Sequence, residues 1–528
     1  MSTPLLSLLM VIALGAALYL PFLGYAGFTQ SEGFRVFPAW HMLHSGDWLV
    51  TRLFEQPYLR KPPGMPWAIA AMSFLFGENE WAARSVSGFS MILGGVLCWW
   101  AARRWYGSLW YAPLAGLAYL AAPMFWADPG PGRAAEIEAL HNLCVLAAMV
   151  LIIDLTQRFP VPNLVARASG PCSTPSTSLS SASLFSWHTP ALALSLASAF
   201  LVKGPSGLPA IGGLLFACLL LTRRWKLLVP LAVSTLLAGG AVLWWYLSLK
   251  AAIAHLSPPP VREPSSQFLW TPGKELKVLL LPIAALGAGL PFTLAPMFVL
   301  TFSPREATPG RILSLGCLLG IGFYTLLGVS NHRYVMPALT LAPLAFPACL
   351  HAFSHGSPRA RQLGGLLQLT RPGLIIAVLT LAAALYTVRL EIRKDTRTSG
   401  KAAGLALGDT LAADVKAHTP PGQPAAAEIW GDEYIDTRPE VLWYARRQAA
   451  ANGVTLRVRW TPGLDKSLAL PPPGNYLIVR VDDGKREFRD PEWPALEKAG
   501  VLQGIKPVAE GTAHVFTFRV FRVGMGVP

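Results

Sequence analysis

The feature that most constrains this chain is a series of apolar runs that reach or approach the length needed to cross a lipid bilayer. A crossing helix needs about 20 residues, because the hydrocarbon core is about 30 Å thick. Only 14% of the 528 residues are charged, whereas 53% are hydrophobic. The sequence therefore predicts a polytopic α-helical membrane protein rather than a soluble one. We count about eleven spans, and up to thirteen if shorter runs also cross: 4–24, 86–101, 108–126, 139–153, 183–202, 205–221, 227–248, 276–301, 312–329, 335–353 and 372–388.

Two apolar segments near the N-terminus need separate interpretation. The first run has no basic region before it and no clear cleavage site, so we expect a retained span rather than a removed signal peptide. The run "MPWAIAAMSFLFG" at 65–77 has 13 residues, which suits an interfacial or re-entrant helix better than a crossing. A crossing there would reverse the side of every later loop.

The loops differ in charge on the two sides of the membrane. With eleven spans and an inside N-terminus, the inner loops hold twelve Lys and Arg in about 75 residues, and the outer loops hold twelve in about 110. Only two acids, Asp154 and Glu306, fall inside, whereas ten fall outside. We therefore expect the chemistry on the outer face of the membrane.

The chain divides into two parts by composition. Residues 1–392 form the predicted transmembrane domain, with a long outer loop at 25–85 and a Ser-rich inner linker at 156–188. Residues 395–528 alternate helical stretches with short strand patterns: "AAEIWG", "VTLRVRW", "NYLIVRV" and "AHVFTFRVF". This pattern predicts a soluble α/β domain on the outer face. It has no Gly-rich phosphate loop and no catalytic triad, so we expect a binding or structural role.

Three acids in the outer loops are candidate general bases. Glu32 follows the first span, where a carboxylate could activate a nucleophile or merely solvate a helix end. Glu136 and Glu138 lie at the mouth of the fourth span, where they could also stabilise the helix dipole. Two acids two positions apart project to different sides of a helix, so only one needs to face a site. Glu138 is the better placed of the two.

Cations occur at the ends of outer segments. Arg60 and Lys61 precede two prolines in "PYLRKPPGMPW", and Lys203 precedes a Gly-Pro break in "FLVKGPSG". A charged side chain at the membrane boundary is costly unless it reaches water or binds an anion, and both alternatives apply to Lys203. Together the cations could hold the phosphate of a membrane-borne ligand. The outer turn "SNHRYVMP" is a further candidate part of this site, with His332, Arg333 and Tyr334.

In their order and placement these motifs resemble the integral-membrane glycosyltransferases of GT-C architecture, which include protein O-mannosyltransferases and the lipid A aminoarabinose transferase. The matching pieces, across about residues 1–350, are "SEGF…MLHSGDW", "YLRKPPG", "LFGENEWAARS", "GRAAEIEAL", "FLVKGPSG" and "NHRYVMP". The resemblance implies transfer of a hexose or pentose from a polyprenyl-phosphate carrier to a lipid, glycan or protein acceptor. It implies no nucleic-acid partner.

The resemblance also implies roles for individual residues. Lys61 and Lys203 match positions that engage the lipid phosphate, with Arg333 as a third contact, and Glu138 corresponds best to the acid of the second loop. Family members usually begin the first loop with an Asp-Glu pair. This chain has Ser31-Glu32 instead, so the base is either Glu32 or a second-loop acid.

Two other functions stay open at this stage. A lipid or solute transporter would place ionisable groups near mid-membrane and show inverted repeats, and the sequence shows neither. A catalytically inactive membrane scaffold is a second alternative, because Ser31 replaces the usual acid. The many outer acids leave room for a divalent metal, but no ligand motif has a recognisable spacing, and we expect the six cysteines to be packing residues.

Overall fold

A computed structural model gives the structure of most of the chain. The predicted span at 372–388 falls almost wholly outside the described residues, as does most of the predicted linker. The structure describes residues 3–54, 56–107, 110–126, 132–158, 186–254, 275–303, 308–355, 400–431, 438–460, 471–482, 505–513 and 516–524, with single residues at 358, 362, 381 and 385.

Helices dominate the described part of residues 3–355. Their apolar sequences favour helix in lipid, because a helix satisfies every backbone polar group within the segment. The helices are α1 (Thr3–Tyr19), α2 (Gln30–Ser45), α3 (Gly64–Phe76), α4 (Glu80–Tyr106), α5 (Tyr111–Leu120), α6 (Pro123–Trp126), α7 (Ile137–Arg158), α8 (His188–Lys203), α9 (Leu208–Thr222), α10 (Leu228–Ile253), α11 (Glu275–Leu279), α12 (Leu281–Ala288), α13 (Leu294–Phe302), α14 (Pro309–Leu326), α15 (Met336–Leu339) and α16 (Leu341–His355). A short antiparallel hairpin, β1 (Arg52–Leu53) and β2 (Gln56–Pro57), lies in the first loop.

Apolar helices of crossing length identify an integral membrane protein. Within the described residues, six segments are long and apolar enough to cross: Glu80–Tyr106, Ile137–Gln157, His188–Thr222, Trp225–Ile253, Pro309–Leu326 and Met336–Phe353. The total of about eleven spans therefore stays a prediction. The 13-residue run expected to be interfacial or re-entrant forms α3.

Helices α4 and α7 define two ends of the helical bundle. Their C-terminal turns meet where the Nε of Arg104 donates to Asp154, whose other oxygen lies 2.6 Å from Nε2 of His188. Their N-terminal turns, at Glu80 and Glu138, therefore lie at the other end. At 1.5 Å per residue, Glu138 is roughly 24 Å from Asp154 along α7.

Residues 400–524 contain an α/β unit. Its sheet has the order β4-β3-β5-β7-β6, with β3 parallel to both β4 and β5, and β7 antiparallel to β5 and β6. Apolar residues on alternate positions of the strands pack against two helices. The elements are α17 (Lys401–His418), β3 (Ala426–Gly431), α18 (Pro439–Ala451), β4 (Thr455–Trp460), β5 (Tyr476–Asp482), β6 (Ala509–Ala513) and β7 (Phe516–Arg522).

The α/β unit packs on α2, at the end of the bundle that carries Glu80. The rings of Trp40 on α2 and Trp443 on α18 lie 4.2 Å apart between centroids. The Tyr444 hydroxyl donates to Glu80 Oε1 at 2.9 Å, and Lys401 Nζ lies 3.1 Å from the same oxygen. These contacts hold α2 between the membrane helices and the α/β unit.

Candidate active site

Glu32, one of the predicted bases, lies in a fully buried ion pair with Arg84 at the start of α2. Arg84 Nε donates to Oε1 at 2.7 Å, and Nη2 donates to Oε2 at 2.9 Å. The carboxylate also accepts from the backbone N–H of Thr29 and of Ala135, at 2.8 and 2.9 Å. Arg84 gives its remaining donors to three backbone carbonyls, those of Leu23, Ala26 and Gly27. Both charged groups are therefore fully hydrogen bonded.

Glu32 takes its position from the helix start. It is the third residue of α2 and reaches back to the N–H of Thr29, the N-cap residue. The sequence analysis did not foresee this regular helix. The neighbouring Gly33 serves close packing, since a Cβ there would lie 2.8 Å from Cγ of Pro439 on α18.

A second buried ion pair joins α7 to the end of α8. Lys203 Nζ donates to Glu138 Oε1 at 3.1 Å, and both side chains are more than nine-tenths buried. The same Nζ lies 4.5 Å from the ring centroid of Tyr334. Unlike Glu32, Glu138 keeps one buried oxygen, Oε2, without a hydrogen-bond partner among the described residues.

Gly64 allows the "RKPPG" turn to pack close to the Lys203–Glu138 ion pair. A Cβ on Gly64 would lie 2.7 Å from the carbonyl oxygen of Leu201, near the end of α8. Only glycine allows so close an approach of α3 to the α8 backbone. The turn before α3 therefore places Lys61 within electrostatic range of Lys203 and Glu138.

Glu136 joins the same cluster, which corrects one expectation. Because α7 begins only at Ile137, Glu136 precedes the helix, and the expected helical separation from Glu138 does not apply. The two acids interact electrostatically, and Arg35 and Arg333 act on both. Glu136 also shares a hydrogen bond with Ser31, the residue that replaces the usual Asp.

Cations outnumber carboxylates in this cluster. Burial, then repulsion from Arg35 and Lys203, lowers the pKa of Lys61. Burial and the neighbouring Glu138 raise the pKa of Glu136, against the opposing pull of Arg35 and Arg333. Within the described residues the cluster holds four cations and two carboxylates, so it is suited to an anion. The cations are Arg35, Lys61, Lys203 and Arg333.

The remaining predicted residues lie at the border of the cluster. Arg60 is exposed, with its guanidinium 5.7 Å from the ring centroid of Tyr58, so it lies outside the buried group. Burial and the adjacent Arg333 lower the pKa of His332. Burial, followed by the charge of Glu138, raises the pKa of Tyr334.

Below the ion pair, α7 contributes two further polar side chains. Nε2 of His141 lies 3.2 Å from the Ser206 hydroxyl, in the turn that follows Lys203. Within the described residues, His141 Nδ1 and Asn142 Nδ2 are buried and have no hydrogen-bond partner. No group of three or more His, Cys, Asp or Glu that could hold a metal occurs in the described part of the chain.

Sequence reasoning missed Arg35 and Arg84. Arg35 could have been found, because it lies four residues after Ser31 and so shares its face of α2. Arg84 had a weaker signal: it lies two residues before the predicted span at 86–101, where a buried arginine is costly without an acidic partner. The partner itself, 52 residues away, could not be read from the spacing.

Comparison with known proteins supports the resemblance. Residues 60–162 match the model of the family described as dolichyl-phosphate-mannose-protein mannosyltransferase. A 108-residue stretch is 32% identical to the undecaprenyl phosphate-alpha-4-amino-4-deoxy-L-arabinose arabinosyl transferase of Edwardsiella ictaluri. That match covers 20% of this chain and 19% of the relative, so the chain is matched over only about a fifth of this relative's length.

Solved structures give a match over nearly the whole chain. ArnT from Cupriavidus metallidurans bound to undecaprenyl phosphate superposes with a TM-score of 0.64 at 18% identity, covering 97% of each chain. The apo structure of the same protein gives 0.61, also at 18% identity, covering 98% of this chain and 97% of that one. The chain has the fold of ArnT. The predicted resemblance to GT-C glycosyltransferases is confirmed at this level.

Proposed function

We propose that this protein is a GT-C glycosyltransferase that moves a hexose or pentose from a polyprenyl-phosphate carrier to an acceptor. The observation that carries the proposal is the cluster of four cations around Glu136 and Glu138. It lies at one end of a helical bundle whose fold matches a structure bound to undecaprenyl phosphate. The acceptor is a lipid, a glycan or a protein.

The cations hold the carrier phosphate. Lys61 and Lys203 come from two segments that Gly64 brings together, and Arg333 approaches from the turn before α15. The carrier phosphodiester gains negative charge when its sugar leaves, so preorganised cations stabilise the transition state more than the bound substrate. Arg60, being exposed, meets the lipid headgroup region rather than the reacting phosphate.

Glu136 is the general base in this proposal. The acceptor nucleophile attacks the anomeric carbon, the bond from that carbon to the phosphate oxygen breaks, and the acceptor proton passes to Glu136. Attack from the face opposite the phosphate inverts the anomeric configuration. A carboxylate whose pKa is raised above its ordinary value is a stronger base near neutral pH. Ser31 orients Glu136, which explains how the site works without the usual Asp.

The two other predicted acids have supporting roles. Glu138 holds Lys203 in place through Oε1. Its other oxygen, Oε2, has no hydrogen-bond partner among the described residues. Glu32 is a positioning residue. Its hydrogen bonds fix the start of α2, the helix that carries Ser31 and Arg35.

We assign the site and the α/β unit to the periplasmic side of a bacterial inner membrane. Both lie at the Glu80 and Glu138 end of the bundle, while Arg104 and Arg224 lie at the end that carries Asp154 and Thr156. Single-cysteine labelling from one side should reach position 430 but not position 224. Equal labelling of both positions would contradict the assignment.

Purified full-length protein and a radiolabelled undecaprenyl-phosphate sugar test the activity itself. We expect release of the sugar from the carrier when an acceptor is present. A transporter would move the lipid across a vesicle membrane without cleaving it, and a scaffold would do neither. The fold match does not favour either of these alternatives.

A further inference from the structure

This inference rests on the proposed function. The environment of Arg35 then restricts which carrier-linked sugars the site can bind. Arg35 and Ser31 share one face of α2, and both act on Glu136. Arg35 also lies within electrostatic range of Lys61, Glu138 and Tyr334. Its Nε atom is buried and has no hydrogen-bond partner among the described residues. A buried donor without a partner is costly, so this atom favours an acceptor atom from a ligand in the cluster.

A sugar with a positive charge would need a carboxylate in the same place. The described cluster offers only two, and both are already engaged: Glu138 pairs with Lys203, and Glu136 shares a hydrogen bond with Ser31 and interacts with Arg35 and Arg333. Besides the carrier phosphate, an ammonium group would meet four cations and only these two engaged carboxylates. A sugar hydroxyl or carboxylate would instead accept from Arg35.

We infer that the sugar subsite beside Arg35 accepts neutral or acidic sugars and rejects a sugar that carries an ammonium group. Arg35 is then the residue that determines this specificity. The inference separates this chain from the curated relatives, whose name specifies an amino-sugar. Like charges brought together in a recognition site oppose binding strongly, so the discrimination should be large.

Two matched carriers test the inference by binding. Undecaprenyl-phosphate arabinose and undecaprenyl-phosphate 4-amino-4-deoxyarabinose differ only at one sugar substituent. Their affinities for the full-length protein in nanodiscs would be measured at neutral pH by competition with fluorescent undecaprenyl phosphate. We expect the amino-sugar carrier to bind at least about tenfold more weakly than the arabinose carrier. A galacturonate carrier should bind as well as the galactose carrier, or better.

Variants assign the effect to Arg35. Arg35→Gln should reduce the difference between the two arabinose carriers severalfold, and Arg35→Lys should preserve it. Arg52→Gln is the matched control, since Arg52 lies in the same loop and pairs with Asp47 at 3.5 Å. It should leave the ratio unchanged.

The outcomes separate the inference from the proposed function on which it rests. Equal or tighter binding of the amino-sugar carrier by the wild type overturns the inference while leaving glycosyl transfer intact. An unchanged ratio in Arg35→Gln overturns the assignment to Arg35. Failure of every carrier, including bare undecaprenyl phosphate, to bind overturns the proposed function and the inference together.

Discussion

Two buried carboxylate sites lie close together at the same end of this molecule, and they are built differently. Glu32 accepts from Arg84 and from backbone N–H groups through both oxygens, and every donor of Arg84 is used. Among the described residues Glu138 has one hydrogen-bond partner, Lys203, and its buried Oε2 atom has none. The Glu32 site is complete by itself, whereas the Glu138 site has unused hydrogen-bonding capacity and surplus positive charge.

The difference shows how to separate a structural ion pair from a functional one. A buried polar network with every group satisfied rigidifies the fold, and it has nothing left to offer a ligand. A network with unused donors and acceptors is less stable alone and gains most when a ligand arrives. Burial is similar at the two sites, so the unused hydrogen-bonding groups and the surplus of cations distinguish the Glu138 site from the Glu32 site.

The largest effect should come from breaking the complete pair. Arg84→Leu would leave the Glu32 carboxylate buried without its cation, which typically costs about 3–5 kcal/mol of folding stability. We expect little folded protein by size-exclusion chromatography in detergent. Arg447→Leu, an exposed arginine on α18, is the control and should behave as wild type. Normal yield and normal thermal stability of Arg84→Leu would show that the pair is dispensable to the fold.

The next effect should appear in rate rather than in stability. Glu136→Gln keeps the size and the hydrogen bond to Ser31 but removes the proposed base, so single-turnover sugar transfer should slow by about 10²–10⁴. The variant should remain folded, because the substitution removes a buried negative charge that is poorly solvated in the folded protein. Glu510→Gln, at an exposed position of strand β6, serves as the control. Transfer at the wild-type rate in Glu136→Gln would remove Glu136 from the mechanism.

The comparison also shows what the sequence could and could not provide. Motif order predicted the GT-C resemblance and identified Lys61, Lys203 and Arg333, which the structure brings into one cluster. Periodicity could not assign Glu32, because its function depends on Arg84, 52 residues away. The separation of Glu136 from Glu138 was wrong because the helix was assumed to start too early, and helix starts are poorly defined by apolar runs.

The cations that we propose to bind phosphate give a smaller, more selective prediction. Lys61→Ala and Lys203→Ala should each remove a charged hydrogen bond to the carrier phosphate, which is worth about 1.5–3 kcal/mol, or roughly ten- to a hundredfold in carrier affinity. Lys203→Ala should also lower the thermal stability, since it leaves Glu138 unpaired, whereas Lys61→Ala should not. Lys250→Ala, on the exposed face of α10, is the control. Full affinity in both variants would exclude the phosphate site proposed here.

Gly64→Ala tests whether close packing, and not charge alone, builds the incomplete site. The new Cβ would lie 2.7 Å from the Leu201 carbonyl oxygen, so α3 and the end of α8 would have to move apart. We expect a stability loss of about 1–3 kcal/mol, as for other overpacked positions, with weaker carrier binding. Gly239→Ala on α10, where no atom lies within 4 Å of the added Cβ, should change neither. Unchanged carrier affinity in Gly64→Ala would mean that Lys61 reaches the phosphate without this contact.

The smallest effect should appear in the pH dependence, and it should have opposite signs for stability and for activity. The folded protein raises the pKa of Glu136 above the ordinary glutamate value of about 4.3, through burial and then the charge of Glu138. The protonated form is therefore favoured in the folded state. Its stabilising contribution is complete below the unfolded pKa and is lost as the pH rises through the folded pKa. Transfer should increase over the same interval, because a base must be ionised to accept the acceptor proton. Thermal unfolding and single-turnover rates, measured between about pH 4 and pH 8, should thus move in opposite directions in the wild type, and both slopes should flatten in Glu136→Gln. If activity fell as the pH rose through this interval, the acting group would be one that needs its proton, and Glu136 would be an acid rather than the base.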